Sequence, residues 1–338
     1  MTSPCNSPEW LREAAPMEPM TIEQCRRFYA EEVQYAANLT SCALVEAFAR
    51  VPREDFLGPG PWQIGAADMA TGKVEYKTTA SADPRHVYHN VIIALDAARN
   101  LSNGQPGSLA AWIGALDLQP GNRVFHLGCG VGYYTAIIAE VVGPSGSVVA
   151  SEVDAGLAAR AKRNLAPYAN LEVHPGDGAA IDAGDRVAID RGESAGLDAS
   201  AASSAFDPGM CDAIFINAGV THPLPRWLDR LNDGGRLLLP LTIPMAPTLG
   251  KGVMAKITRK NGAFSAQTNG FVAIYNCTTA RNPQLEPLLT RAMTTGALFK
   301  LKSIRRDPHE PSETCLVHSE AVCISAVEPA IERKESVA

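Results

Sequence analysis

Along the middle of the chain, short apolar runs alternate with stretches whose hydrophobic residues recur at helical spacing. The short runs predict strands, and the stretches between them predict helices. Predicted strands cover residues 124–127, 147–151, 171–173, 212–216 and 236–239, and predicted helices cover residues 134–142, 155–165 and 225–231. This alternation predicts an α/β fold, with a mostly parallel sheet and helices on both faces.

The segment before this alternation carries a weaker pattern. Residues 21–49 have helical spacing, and Thr21 followed by Gln24 is typical of a capping box at a helix start. Residues 91–98 and 109–116 are also predicted to be helices. We therefore expect a largely helical N-terminal extension.

Other segments are predicted from turn residues and composition. Residues 62–86 show no regular pattern and are expected to be irregular. Residues 252–257 and 270–276 predict two strands, and the Lys-Asn-Gly turn at 260–262 makes them an antiparallel hairpin at the sheet edge. Residues 190–208 are rich in Ala, Ser, Gly and Asp and are expected to form a flexible insertion.

These patterns divide the chain into three parts. An N-terminal helical and irregular extension covers residues 1–100, the α/β domain with its insertion covers residues 101–280, and a C-terminal extension covers residues 281–338. The sequence leaves the role of both extensions open.

The charge of the chain limits the classes of partner that we expect. With 30 Lys and Arg against 36 Asp and Glu, the formal net charge is −6, and the basic residues are scattered. A nucleic-acid partner is therefore not expected, because such proteins usually carry a basic stripe or tail. The apolar run at residues 237–247 is too short for a membrane helix, so no membrane partner is expected.

The eight cysteines are scattered and contain no C-x-x-C pair. This usage is typical of reduced cytoplasmic thiols and predicts neither a disulfide framework nor a zinc cluster. The start of the chain shows no secretory signal, which also favours the cytoplasm. His86 and His89 could share a helical face, but no cysteine or carboxylate stands beside them in the sequence, so no metal site is expected.

The most informative motif follows the first strand of the α/β domain. Gly128, Gly130 and Gly132 stand at a spacing of two, between that strand and a predicted helix. Glycines there allow a sharp turn and a close approach of a ligand to the backbone. The spacing is one residue shorter than the G-x-G-x-x-G fingerprint of dinucleotide sites.

Polar groups follow the next two strands. Glu152 ends the second strand, where a carboxylate can accept hydrogen bonds from both hydroxyls of a ribose. Asp177, between Gly176 and Gly178, follows the third strand and could approach a nucleobase edge. Because ligands of open α/β sheets bind at the carboxyl ends of the strands, these loops predict one shared crevice.

With these residues in place, the sequence resembles the class I S-adenosylmethionine-dependent methyltransferases, and within them the protein-L-isoaspartate O-methyltransferase family. The matching segments are residues 51–56, 118–124, 132–133, 142–148, 164–165, 176–178, 211–219 and 233–237. The resemblance implies a Rossmann-like sheet, S-adenosyl-L-methionine as cofactor, and methylation of a carboxylate on a peptide or protein.

The resemblance also implies a set of site residues. The expected cofactor contacts are His126, Gly128, Cys129, Gly130, Gly132, Tyr133, Glu152, Val153, Gly176, Asp177, Gly178 and Asn217. The expected catalytic residues are Gln105, His89 and Asn217. A carboxylate acceptor is already anionic near neutral pH and needs only neutral donors such as the Gln105 amide. A hydroxyl or amine acceptor needs a base, for which His89, His222 and Tyr88 are candidates.

Three departures from the family pattern concern the substrate and the methionine end of the cofactor. His126 stands where the family usually has an acidic residue, and Gly104 stands where the family has a serine that touches the substrate carboxylate. The insertion at 190–208 lengthens the rim of the crevice. These changes leave other interpretations open: a methyltransferase of a small metabolite or natural product, a tRNA methyltransferase, or a non-catalytic binding module. The oligomeric state is also left open.

Overall fold

Two β-sheets with helices packed on them make up the computed structural model, which describes residues 19–67, 74–181 and 206–329. The helices are α1 Ile22–Ala37, α2 Cys42–Arg50, α3 Glu54–Leu57, α4 Pro106–Ala115, α5 Tyr133–Val142, α6 Ala155–Asn164, α7 Pro225–Asp229 and α8 Glu286–Thr294. The strands are β1 Gln63–Ala67, β2 Val74–Thr78, β3 Ile92–Asp96, β4 Leu101–Ser102, β5 Arg123–Leu127, β6 Ser147–Glu152, β7 Leu171–Pro175, β8 Cys211–Ile216, β9 Leu231–Pro244, β10 Leu249–Lys260, β11 Ala263–Tyr275, β12 Ser303–Arg305, β13 Cys315–His318 and β14 Cys323–Ser325.

The larger sheet has ten strands in the order β13-β14-β12-β11-β10-β9-β8-β5-β6-β7. Strands β7, β6, β5, β8 and β9 pair in parallel, and every pair from β9 to β13 is antiparallel. The parallel half matches the strands predicted between residues 124 and 239. It places the carboxyl ends of β5, β6 and β8 at one edge of the sheet.

Both faces of the sheet are covered by apolar packing. On one face, helices α1, α2, α4, α5 and α6 share a core with alternate residues of the parallel strands, such as Val124 and Phe215. On the other face, α7 and α8 pack with the opposite alternation, including Phe125 and Ile214. Strands buried on both faces form continuous apolar runs in the sequence, which is why the sequence predicts them well.

Strand β3 corrects a predicted helix. Residues 91–98 were expected to be helical, but Ile92–Asp96 form a strand that pairs with β1 and β4. Residues 62–86, expected to be irregular, contain β1 and β2, which pair in antiparallel register from Gln63 with Thr78 onwards. Pairing between distant segments outweighs the weak local pattern in both places.

The predicted helical region 21–49 consists of two helices. The capping box is confirmed: Thr21 Oγ1 accepts from the Gln24 N–H at 3.2 Å, and Gln24 Oε1 accepts from the Thr21 N–H at 2.9 Å. The break comes at Asn38, which caps α1 in a left-handed conformation. Ser41 then caps α2 through the Leu44 N–H.

The predicted hairpin of β10 and β11 is confirmed. Asn261 and Gly262 form its turn, both with positive φ, as a tight hairpin turn requires. The sheet continues beyond this hairpin, because β12 pairs with β11 and is followed by β14 and β13.

The three-part division of the chain stays a prediction. β4 pairs with β3 across the predicted boundary at residue 100, and β12 to β14 extend the main sheet from the C-terminal part. Residues 190–205 of the predicted insertion lie outside the described residues. Among the described residues, no helix has the length and apolar character needed to cross a membrane.

Candidate functional site

The glycine loop connects the end of β5 to the start of α5. Gly128, Gly130 and Gly132 have φ values of 78°, 58° and 96°, a region that L side chains rarely adopt. A Cβ placed on Gly130 would meet no atom within 4 Å. At Gly130 the loop therefore presents bare backbone to an open space, which suits close contact with a ligand.

Glu152, at the end of β6, lies against this loop. Its Oε2 accepts from the Gly130 N–H at 2.8 Å, and its Oε1 accepts from the Asp154 N–H at 3.0 Å. The residue is only 7% exposed. Burial raises the pKa of Glu152, while the hydrogen bonds from Asp154 and Gly130 oppose the rise. Asp154, not Glu152, caps α6 through the Leu157 N–H, so the Glu152 carboxylate is not committed to a helix cap.

The loop after β7 brings a second carboxylate to this edge. Asp177 Oδ1 accepts from the Ala179 N–H at 2.9 Å, and Thr279 Oγ1 donates to Asp177 Oδ2 at 2.5 Å. Gly178 packs so closely that a Cβ there would lie 2.2 Å from Ser151 Oγ. Sequence reasoning missed Thr279, because it lies about a hundred residues from Asp177 and in no recognisable motif.

Asn217 joins β8 to the same group. Its N–H donates to the Leu127 carbonyl at 2.9 Å, and its Nδ2 donates to the Gly128 carbonyl at 3.2 Å. The Gly176 N–H donates to the Glu152 carbonyl at 2.8 Å. The structure thus brings the glycine loop, Glu152, Gly176 and Asn217 together at one edge of the sheet.

The structure does not support a direct cofactor contact by the side chain of His126. The residue is completely buried, its Nδ1 lies 3.0 Å from Thr135 Oγ1 of α5, and its ring stacks on Phe215. Burial lowers the pKa of His126 to about 3, so the ring is neutral near pH 7. Alternation along β5 explains the difference, because this position faces α5.

Tyr133 is likewise directed into the core. Its hydroxyl lies 3.2 Å from the hydroxyl of Tyr29 in α1, and its ring packs edge-on against Phe56. The predicted contact between this side chain and the cofactor is therefore not supported.

Cys129 is buried in the loop, and burial raises the pKa of its thiol. Val153 is 47% exposed beside Glu152.

Two of the predicted catalytic residues belong to a second region. Gln105 is exposed at the start of α4, and its Nε2 lies 3.5 Å from the Asn90 carbonyl. Gln105, Asn90 and Asn269 line an open groove of about 470 Å³. His89 is exposed next to Asn90. Gln105 thus lines this groove, and His89 directly precedes Asn90, another of its lining residues.

Arg53 holds the backbone of residues 87–91 in that second region through hydrogen bonds. It is fully buried, and its guanidinium donates to the carbonyls of Val87, His89 and Val91 at 2.8, 2.9 and 3.0 Å. The motif at residues 51–56 contributed to the family resemblance, but nothing local in it indicated this role, since the acceptors lie more than thirty residues away.

The remaining base candidates differ in environment. Tyr88 is buried, and its hydroxyl donates to Glu54 and accepts from Arg26 Nε at 2.8 Å. Burial raises the pKa of Tyr88, so its hydroxyl stays protonated near neutral pH. His222 Nδ1 lies 2.9 Å from Thr221 Oγ1, and burial lowers the pKa of the ring.

Comparison with known proteins identifies relatives of part of this chain. The family profile of protein-L-isoaspartate(D-aspartate) O-methyltransferase matches residues 73–184. The protein-L-isoaspartate O-methyltransferase of Thermotoga maritima is 25% identical over 60% of this chain and 51% of its own length. That of Aeropyrum pernix is 32% identical over 46% of this chain and 48% of its own length. The chain thus spans about half the length of these curated relatives.

A solved structure extends the likeness to the fold. A Plasmodium falciparum protein described as a protein-L-isoaspartate O-methyltransferase, in complex with S-adenosyl-L-homocysteine, has a TM-score of 0.52 and 15% identity. The match covers 75% of this chain and 98% of that one. The predicted class I methyltransferase fold is confirmed, and the chain resembles the protein-L-isoaspartate O-methyltransferase family.

Proposed function

We propose that this chain is an S-adenosylmethionine-dependent methyltransferase that methylates a carboxylate of a peptide or protein. The observation that carries the proposal is the contact between the buried Glu152 carboxylate and the Gly130 N–H in the glycine loop. The match of residues 73–184 to the isoaspartyl methyltransferase family supports the same activity.

The residues around Glu152 fit the adenosine end of the cofactor. The Glu152 carboxylate accepts from the Gly130 and Asp154 N–H groups, and its two oxygens together offer about four lone-pair sites, so acceptor capacity remains. Those lone pairs can accept from the two ribose hydroxyls. The open space above Gly130 leaves room for the ligand against the backbone. We assign the base end to Asp177 and Gly178, which follow the neighbouring strand.

The methionine end is held differently from the family pattern. His126 supplies no negative charge to attract an ammonium group, because it is neutral and buried. The Asn217 amide, which donates to the Gly128 carbonyl, is a neutral polar group at this end of β5. We therefore expect weaker electrostatic anchoring of the amino acid portion.

The proposed chemistry makes small demands on the protein. The cofactor supplies a methyl group already activated by the sulfonium. A carboxylate acceptor is anionic near neutral pH, so the chain must only orient it and exclude water. The Gln105 amide, exposed on the groove with Asn90, is our candidate donor to the acceptor oxygen. His89, the exposed neighbour of Asn90 in the sequence, is a second candidate.

The groove beside Gln105 favours an extended acceptor. It is open to solvent and bordered by neutral polar groups, Asn90, Ser108 and Asn269. Such a surface can bind a peptide backbone through hydrogen bonds. We assign the peptide to this groove and propose the cytoplasm as the location, supported by the free thiols of the described cysteines.

Calorimetric titration with S-adenosylhomocysteine, followed by a transfer assay, tests the proposal. We expect one binding site per chain, and transfer of labelled methyl groups from S-adenosylmethionine to an isoaspartyl peptide. The matched control is the same peptide with a normal aspartyl residue. The label should be released by mild base, as expected for a methyl ester.

Two results would contradict parts of this proposal. No binding of S-adenosylhomocysteine would contradict the cofactor site. Binding without transfer to either peptide would contradict a peptide carboxylate as acceptor, and would favour a small metabolite or a binding module.

A further inference from the structure

Four potential metal ligands gather at the antiparallel end of the sheet. His309, Cys315, His318 and Cys323 each offer one ligand atom, and these atoms all lie within 4.8 Å of one another. It is the only such group found among residues 19–67, 74–181 and 206–329. The scattered cysteines predicted no zinc cluster, because these residues follow no C-x-x-C spacing.

A β-bulge explains how the cluster forms. Successive residues of a strand point to opposite faces, so Cys315 and His318 would normally face apart. The register shift between Cys315 and Val317 changes this alternation. Cys315 then pairs with Ser325, and His318 pairs with Cys323. Since Ser325 and Cys323 share one face of β14, both ligands of β13 come to that face.

The spacing of the ligand atoms suits a tetrahedral ion. Zinc bonds of about 2.3 Å to sulfur and 2.0–2.1 Å to nitrogen place tetrahedral ligand atoms about 3.3–3.8 Å apart. Cys315 Sγ lies 3.6 Å from His309 Nε2. Small side-chain rotations would bring the whole group, already within 4.8 Å, to these distances.

Hydrogen bonds around the cluster orient its ligands. His309 Nδ1 lies 2.7 Å from the Asp307 carbonyl. A carbonyl can only accept, so Nδ1 carries the proton and Nε2 presents its lone pair towards Cys315. Metal-bound histidines usually hold their second nitrogen in this way. Cys315 Sγ accepts from the Ser312 N–H at 3.4 Å.

His318 supplies an independent observation. Its Nδ1 is buried and has no hydrogen-bond partner. A buried polar atom without a partner is costly, and a bound cation would satisfy it. The same histidine ring packs against the ring of His309, with centroids 4.7 Å apart.

We propose that His309, Cys315, His318 and Cys323 form a structural zinc site. Two thiolates balance the charge of the dication, and a sulfur and imidazole donor set favours zinc over magnesium or calcium. Four protein ligands leave no open position, which is typical of structural sites. In the sheet order, the five strands β12, β11, β10, β9 and β8 lie between β14 and the glycine-loop strand β5. The site is therefore distinct from the proposed methyltransferase crevice.

The ion would fasten a loop to the end of the sheet. His309 lies in residues 306–314, which have no helix or strand, whereas the other ligands belong to β13 and β14. These strands contain only four and three residues. Zinc would thus link a short hairpin to the loop that precedes it.

Metal analysis of the full chain, purified under reducing conditions, tests this site. We expect about one zinc per chain after gel filtration. Cobalt substitution should give the visible absorption of tetrahedral Co²⁺ and a thiolate charge-transfer band. Cys315→Ser and Cys323→Ser should each lose most of the metal and the charge-transfer band. The control Cys42→Ser, which removes an exposed thiol in α2, should retain both.

A second measurement does not depend on the folding of variants. A mercurial reagent added to the unmodified protein should release about one zinc per chain, detected with a chromophoric chelator. The proposal is overturned if the reduced full chain binds no zinc, if cobalt gives no thiolate band, or if Cys42→Ser loses as much metal as Cys315→Ser. A disulfide between Cys315 and Cys323 in the reduced preparation, found by peptide mass analysis, also overturns it.

Discussion

The parallel and antiparallel halves of the ten-stranded sheet are stabilised in different ways. In the parallel half, β5 and β8 lie buried between helices, and polar groups gather where the strands end. In the antiparallel half, β11 carries several exposed residues, and β12, β13 and β14 have three, four and three residues. The first half relies on its packed interior, and we propose that the second adds a metal cross-link to its last hairpin.

This difference separates the chemistry of the two halves. Crossover helices shield the parallel strands and leave the carboxyl ends as the place for a ligand. Neighbouring antiparallel strands end at opposite edges of the sheet, so their carboxyl ends do not gather at one edge. There, the bulge in β13 instead places ligands on one face. The proposed methyltransferase chemistry belongs to the first half, and the proposed zinc site belongs to the second.

The largest effect should come from Arg53, a fully buried residue of the N-terminal region that packs on the parallel half. Arg53→Ala leaves the carbonyls of Val87, His89 and Val91 without a donor. We expect a loss of roughly 3 kcal/mol or more in the free energy of unfolding, since each unsatisfied buried group costs about 1–3 kcal/mol. Chemical denaturation measures it.

A surface arginine provides the control for this experiment. Arg27 pairs with Glu46, and both side chains are largely exposed, at 51% and 40%. Arg27→Ala should change the stability little, because solvent screens exposed ion pairs. Equal losses in the two variants would show that buried contacts of the N-terminal region contribute no more than its surface does.

The sequence predicts the parallel half well for a physical reason. Each buried strand is a local apolar run, and the helix after it carries its own periodicity, so residues 124–127 and 134–142 match β5 and α5 closely. The Gly-x-Gly-x-Gly loop and Glu152 are equally local signals. The crevice that they form can therefore be predicted from the sequence alone.

Other features depend on contacts that no local pattern records. Strands β1 to β3 form by pairing with each other, so residues 62–86 and 91–98 were predicted wrongly. Thr279 reaches Asp177 from a distant loop. His126 occupies a motif position, yet strand alternation directs it to Thr135 in the core. The His309 and Cys315 cluster needs a bulge, which the sequence does not indicate.

A smaller effect concerns the crevice of the parallel half. Glu152→Ala removes the acceptor assigned to the ribose hydroxyls. We expect a loss of about 1.5–3 kcal/mol in the binding free energy of S-adenosylhomocysteine, as for hydrogen bonds to a charged group. Calorimetry measures the change, and circular dichroism checks that the fold persists.

Glu172→Ala is the matched control for this substitution. Glu172 lies in the neighbouring strand β7, and its side chain is largely exposed beside His174. The affinity of this variant should equal that of the unmodified protein. If Glu152→Ala also leaves the affinity unchanged, the cofactor does not contact Glu152 and the crevice must be assigned differently.

The smallest expected effect lies at Gly104, where the family resemblance predicts a serine. Gly104 has a φ of 71°, and a Cβ there would lie 2.9 Å from Leu109 Cδ2. Gly104→Ser should therefore lower the stability by about 1–2 kcal/mol, the cost of a left-handed conformation for an L residue. Gly104→Ala carries the same Cβ without the hydroxyl and should lose as much. Because the left-handed backbone at residue 104 does not favour serine, we do not expect the added hydroxyl to act on the substrate. Methyl transfer to an isoaspartyl peptide should therefore be equal in the two variants. Faster transfer by Gly104→Ser alone would instead identify the missing hydroxyl as the determinant of substrate choice.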